Sequence, residues 1–155
     1  MKSVFEKLQL KDQTEIVVLN APKSFEPELA RLKGVTVRRS LQGSKEIQFS
    51  LAFVMTQAEA DAAVKGVTER AKGDAVVWFA YPKGSSKRYA STINRDTGWD
   101  SLGAAGFEAV RMVAIDEDWS AVRFRRAEFI KSMQRDPEWA MSAAGKTKAA
   151  SKKRG

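Results

Sequence analysis

The chain contains no cysteine and no histidine among its 155 residues. Those two absences exclude nucleophiles that rely on an imidazole base, both Ser-His-Asp and Cys-His systems, and the Cys/His sets of ordinary structural zinc sites. Proton transfer near neutral pH would fall to Asp, Glu, Lys or Tyr with shifted pKa values. A carboxylate-bound Mg²⁺ stays chemically open, but no residue pattern marks a metal centre, and no cofactor is named by the residues. Without cysteine there is no disulfide framework, which fits a reducing compartment and a cytoplasmic protein. Long apolar runs are missing too. None approaches the roughly 18 residues of a membrane-spanning helix, so no membrane contact is expected. Residues 1–7 carry Glu6 and lack the apolar stretch of a secretory signal.

Acids are absent from the last ten positions, KTKAASKKRG, which hold five positive charges. The formal net charge is +8, so these five leave +3 on the remainder, an ordinary value for a soluble domain. A Lys/Ala/Ser/Gly segment cannot bury a core, so residues 144–155 read as a disordered basic tail. Such a tail solubilises, or it makes weak, salt-sensitive, nonspecific contact with nucleic acid. No aromatic residue stands among these lysines to stack on bases.

What is present is a globular composition, 43% hydrophobic and 30% charged, enough for one domain with its own core. Strand and helix signals alternate along it. Residues 15–20 are a short apolar run ending at Ala21 and Pro22, as a strand buried on both faces would be. A short helix over 25–33 follows, with Pro27 in its first turn and Gly34 as its stop. Residues 35–39 suit an edge strand, and 47–55 form a third strand. Thr56 and Glu59 match a capping box. The helix they open places Ala60, Ala63, Val64, Val67 and Ala71 on one face, and Gly73 closes it. Residues 74–81 are the most strand-like run. After a loop at 82–87, a helix over about 94–105 ends at Gly106, then strand 107–115 turns at Asp116, Glu117 and Asp118 into an antiparallel strand 119–125. Residues 127–141 read as helical.

This alternation predicts an α/β protein: an open, mainly parallel, Rossmann-like sheet with helices on both faces and a C-terminal antiparallel hairpin. The domain spans 1–126, followed by a helical segment at 127–143 and the tail. One link is awkward, because too few residues lie between Arg39 and Phe49 for a crossover helix. Nine residues in extended form reach about 30 Å, so an extended return beneath the sheet is expected in place of a hairpin.

In a parallel sheet of this kind, ligands sit at the C-terminal ends of the strands. Asn20, the loop residues Lys83, Gly84, Ser85, Ser86 and Lys87, and Asp116 then share one edge. Backbone amides, hydroxyls and fixed positive charge in that loop suit a small anionic ligand, although ordinary turn chemistry explains the same residues. Lys83, Gly84 and their neighbours do not have the spacing of a Walker loop. Asn94 and Asp96 fit a helix N-cap and first turn, and Trp78, Trp99 and Trp119 fit core packing.

The segments NAP at 20–22, YPKGSS at 81–86, NRD at 94–96 and AIDEDWSAVRF at 114–124 resemble an uncharacterised bacterial family of small α/β proteins, a domain of unknown function. The likeness covers about residues 8–126, with Tyr81 where that family more often shows Trp. It implies a Rossmann-like fold and lends no activity. The strand order also resembles a truncated class I methyltransferase, whose sheet ends in an antiparallel hairpin. Those enzymes use a glycine-rich loop after strand one and an acid after strand two. Here the loop is Asn20-Ala21-Pro22-Lys23-Ser24, and the later position holds Arg38 and Arg39. The absence of catalytic signatures favours a non-catalytic or regulatory module binding a small anionic ligand or a protein partner; the alternatives are an enzyme on a degenerate methyltransferase-like scaffold and a nucleic-acid-associated protein acting through its tail. Oligomeric state is not legible.

Overall fold

A computed structural model describes residues 3–42, 46–87, 89 and 99–130. Ten elements follow in order: α1 (Val4–Lys7), β1 (Glu15–Leu19), α2 (Glu26–Ala30), β2 (Thr36–Arg38), β3 (Ile47–Phe53), α3 (Gln57–Arg70), β4 (Ala71–Pro82), α4 (Asp100–Ala104), β5 (Phe107–Ala114) and β6 (Trp119–Arg126). The strands form one six-stranded sheet in the order β2-β1-β3-β4-β6-β5. Every contact among β2, β1, β3 and β4 is parallel, and β6 runs antiparallel to both β4 and β5. The expected architecture is the one observed.

Alternation along the central strands divides the core in two. Val77, Phe79 and Tyr81 of β4 face α3 and α4, packing with Ala60, Val64, Val67, Trp99 and Leu102. Val76, Trp78 and Ala80 face the other way, toward α1 and α2, with Phe5, Leu8, Phe25 and Leu29. Helices therefore cover both faces. The capping box at α3 forms as expected: Glu59 N donates to Thr56 Oγ1 and Thr56 N to Glu59 Oε1, each at 3.2 Å. Among the described residues no helix is long and apolar enough to cross a membrane.

Several boundaries differ from the sequence reading. Helix α1 was not anticipated, although Ser3 and Glu6 have the S-x-x-E spacing of a helix start, and Ser3 Oγ accepts from Glu6 N at 3.2 Å. The helix expected over 25–33 shortens to α2 after a 3₁₀ turn at Lys23–Phe25, with Phe25 and Leu29 as its buried anchors. Gly73 does not close α3. The helix ends at Arg70, and Ala71, 4% exposed, enters the sheet at once in extended conformation. Gly73 instead lies inside β4 at φ 56°, beside a register shift between Ile47 and Phe49.

The parallel relation of β2 to the sheet rules out a hairpin between it and β3. On the return path Leu41 packs against Gly66 of α3, close enough that a Cβ on Gly66 would lie 2.1 Å from Leu41 Cδ1. This places the start of the connection over the α3 face. Residues 127–130 make a 3₁₀ turn and then an extended residue, so no helix runs continuously from Ala127, whose amide bonds Gly106 O at 2.9 Å. The rest of 131–143, the tail at 144–155, and Asn94, Arg95 and Asp96 lie outside the described residues.

Candidate functional site

Parallel strands deliver five chain segments to one edge: Asn20 after β1, Arg39 after β2, Val54 to Thr56 after β3, Lys83 to Lys87 after β4, and Asp116 to Asp118 after β5. Asn20 turns the chain in the left-handed region, at φ 58°. That conformation costs an ordinary L-residue roughly 1–2 kcal/mol, and asparagine tolerates it better than most. Asn20→Gly is therefore expected to leave stability unchanged or slightly raised, and Asn20→Ala to lower it by about 1 kcal/mol in urea unfolding.

Tertiary partners decide what the neighbouring loop offers. Lys83 N donates to Asp118 O at 2.8 Å, and Ser86 N to Lys83 O at 2.9 Å. The Ser86 hydroxyl donates to Asp118 Oδ1 at 2.9 Å and accepts from Tyr89 N at 3.1 Å. Asp116 Oδ1 accepts from Asp118 N at 2.8 Å and Trp119 N at 2.9 Å, which shapes the β5–β6 turn. Ser86 and Asp118 thus tie two turns together, while Asp116 shapes its own. Gly84, Ser85 and Lys87 are exposed and Lys83 half-buried.

No acid stands between Tyr81 and Arg95 in the sequence, yet the hairpin brings Asp118 against this loop. Its positive charge is partly balanced across the fold. Asn20 is two strands away from Lys83, because β3 lies between β1 and β4. At about 4.8 Å per strand that separation is about 10 Å. The fold therefore joins Lys83 and Ser86 to Asp118, in the turn that Asp116 shapes, and sets Asn20 at the far side of any shared ligand.

Aromatic packing backs the loop. The Tyr89 and Trp119 rings are 5.0 Å apart, and Trp119 meets Phe53 edge-on at 5.1 Å. At the end of β3, Met55 N and Thr56 N both donate to Glu59 Oε1, at 2.8 and 3.2 Å, so the cap uses these amides. After β2, Arg39 holds Glu26 through two bonds of 2.8 and 2.9 Å. The hydrogen bond from Arg39 keeps the Glu26 carboxyl below its ordinary range, and the same bond raises Arg39. Glu26 therefore stabilises the fold above the usual carboxylate pKa, and this contribution fades as pH falls through the lowered folded value. Arg38 pairs similarly with Glu15.

Two solved enzymes share this arrangement of strands and helices. The chain is similar to a SAM-dependent methyltransferase from Aquifex aeolicus, with TM-score 0.54 and 14% identity over 79% of this chain and 87% of that one. It is also similar to the N-methyltransferase NodS from Bradyrhizobium japonicum, with TM-score 0.51 and 12% identity over 78% of this chain and 91% of that one. No protein-family model matches the chain, and no curated protein matches it in sequence. At these identities the likeness is one of fold. The sheet is that of a Rossmann-like, methyltransferase-type α/β protein.

Proposed function

We propose that the chain binds a small ligand at the C-terminal edge of its sheet, as an enzyme built on a methyltransferase-type scaffold. The observation that carries this reading is the strand order, four parallel strands closed by an antiparallel hairpin, which converges five loops on that edge. It favours an enzyme over the non-catalytic module that the absence of histidine and cysteine suggested.

The fit to an adenosyl cofactor is partial. Asn20 makes the tight turn after β1 that glycine makes in such enzymes, while Pro22 offers no amide. A carboxylate, Glu26, does stand beside the end of β2, but Arg39 occupies it. Those two positions are where the chain's own residues would meet the cofactor.

The second reading, an anion-binding module, is supported by the exposed ammonium group of Lys87 and the half-buried Lys83 flanking exposed Gly84 and Ser85. Thermal unfolding of the full chain separates the two. S-adenosylmethionine or S-adenosylhomocysteine should raise Tm under the enzyme reading, with about 2.7 kcal/mol of stabilisation at 100 times Kd. Arg39→Ala, which frees Glu26, should then tighten that binding. A response to nucleotides only, lost in the Lys83→Ala/Lys87→Ala variant, would establish the module. That variant itself should unfold within about 0.5 kcal/mol of the parent. Silence toward both ligand sets overturns both readings.

A further inference from the structure

A second concentration of charge lies away from that edge, on the α1 side of β5 and β6. Arg111 and Arg123 stand directly opposite each other in the antiparallel ladder. Arg125 lies two residues from Arg123 and so shares its face. Like charges set opposite each other on a sheet repel. Arg125 is compensated, because its Nε and Nη2 donate to Asp74 at 2.8 and 2.6 Å.

No carboxylate among the described residues bonds Arg123. Its Nη1 donates to the neutral amide oxygen of Gln9 at 2.6 Å, and its buried Nε has no partner. Burial disfavours its charge most, then Arg125; Asp74 supports it and Arg111 opposes it. Two further charged groups described on this face are Glu108, fully buried opposite Arg125, and Lys7, whose Nζ donates to Ala114 O at 2.8 Å. Arg111 is exposed. Gln9, which holds Arg123, sits at φ 65°, an uncommon conformation for a residue other than glycine. A strained residue thus fixes a half-buried cation beside two others.

We propose that Arg111, Arg123 and Arg125 form a binding site for a phosphate group on the β5–β6 face. Guanidinium forks match the paired oxygens of a phosphate. A dianion between Arg111 and Arg123 removes their repulsion. The phosphate belongs either to a free phosphate compound or to a nucleic-acid backbone, which share this chemistry.

The test uses the full chain, with inorganic phosphate and a short single-stranded oligodeoxynucleotide as probes, followed by thermal unfolding and calorimetry. Phosphate should raise Tm of the parent protein. Arg111→Ala, an exposed change, should weaken phosphate binding at least about tenfold. Arg123→Leu should abolish the response while raising Tm in phosphate-free buffer, since packing replaces a crowded, partly desolvated charge. The Lys83→Ala/Lys87→Ala variant should keep the response, so this site stands or falls separately from the sheet edge. Oligonucleotide binding that is tighter than phosphate binding and falls steeply with salt assigns the phosphate to a backbone; binding no tighter assigns it to a free compound. No response of the parent protein to either probe overturns the site, as do responses of the Arg111→Ala and Arg123→Leu variants equal to the parent's.

Discussion

Replacing Trp78 by alanine should cost about 3–5 kcal/mol of stability, seen as a large fall in the urea midpoint. Trp78 is 0% exposed at the middle of the sheet, on the face shared with Phe5, Leu8 and Phe49. Its indole Nε1 donates to Leu8 O at 2.8 Å. That bond joins the N-terminal segment to a strand 70 positions later. Two contributions can be separated with Trp78→Phe, which keeps much of the ring but leaves the buried Leu8 carbonyl without its donor. An orphaned buried acceptor costs about 1–3 kcal/mol, so this variant should fall between the parent and Trp78→Ala. If Trp78→Phe unfolds like the parent, the bond to Leu8 contributes nothing and the segment is held by packing alone.

Phe79→Ala should be as costly, about 3–5 kcal/mol, for a different reason. Phe79 is the next residue on the same strand and points to the opposite face. Its ring centre is 5.7 Å from that of Trp99 and 5.9 Å from that of Phe124. Aromatic contacts of this kind add about 0.5–1.5 kcal/mol beyond burial. Losing them should also shift the fluorescence of Trp99, which is 4% exposed. Because Trp78 and Phe79 have different neighbours, the milder variants Trp78→Phe and Phe79→Leu should be nearly additive. A coupling above about 0.5 kcal/mol would mean that the two packed layers are not independent.

The candidate edge shows where local reading ends. Lys83, Ser85 and Lys87 are as exposed or half-exposed as a Gly/Ser loop suggests, since exposure there follows from composition. Ser86 and Asp116 looked equally free in the sequence and are not. Ser86 meets Asp118, 32 positions away, and Asp116 folds back on its own turn. Pairing across that distance depends on β6 lying against β4, which no pattern within the loop encodes. Arg111 and Arg123 carry no local mark in the sequence for the same reason. Twelve positions apart in a strand-turn-strand, they become opposed only once the register, with its shift between Ala109 and Arg111, is known.

The amino-acid sequence alone determined the kinds of element and much of their order. Apolar runs of β length, the Thr56 and Glu59 cap, and the acidic turn at 116–118 are local signals, and backbone geometry answers to them directly. It also determined which mechanisms are closed, because no fold supplies an imidazole or a thiol that the chain lacks. Only the tertiary structure decided which strands neighbour one another, that Ala71 leaves its helix two residues before Gly73, and that Gln9 reaches Arg123. Those outcomes come from burying two apolar faces of one sheet at once, and from charges placed by that burial beside partners chosen by register and not by sequence distance.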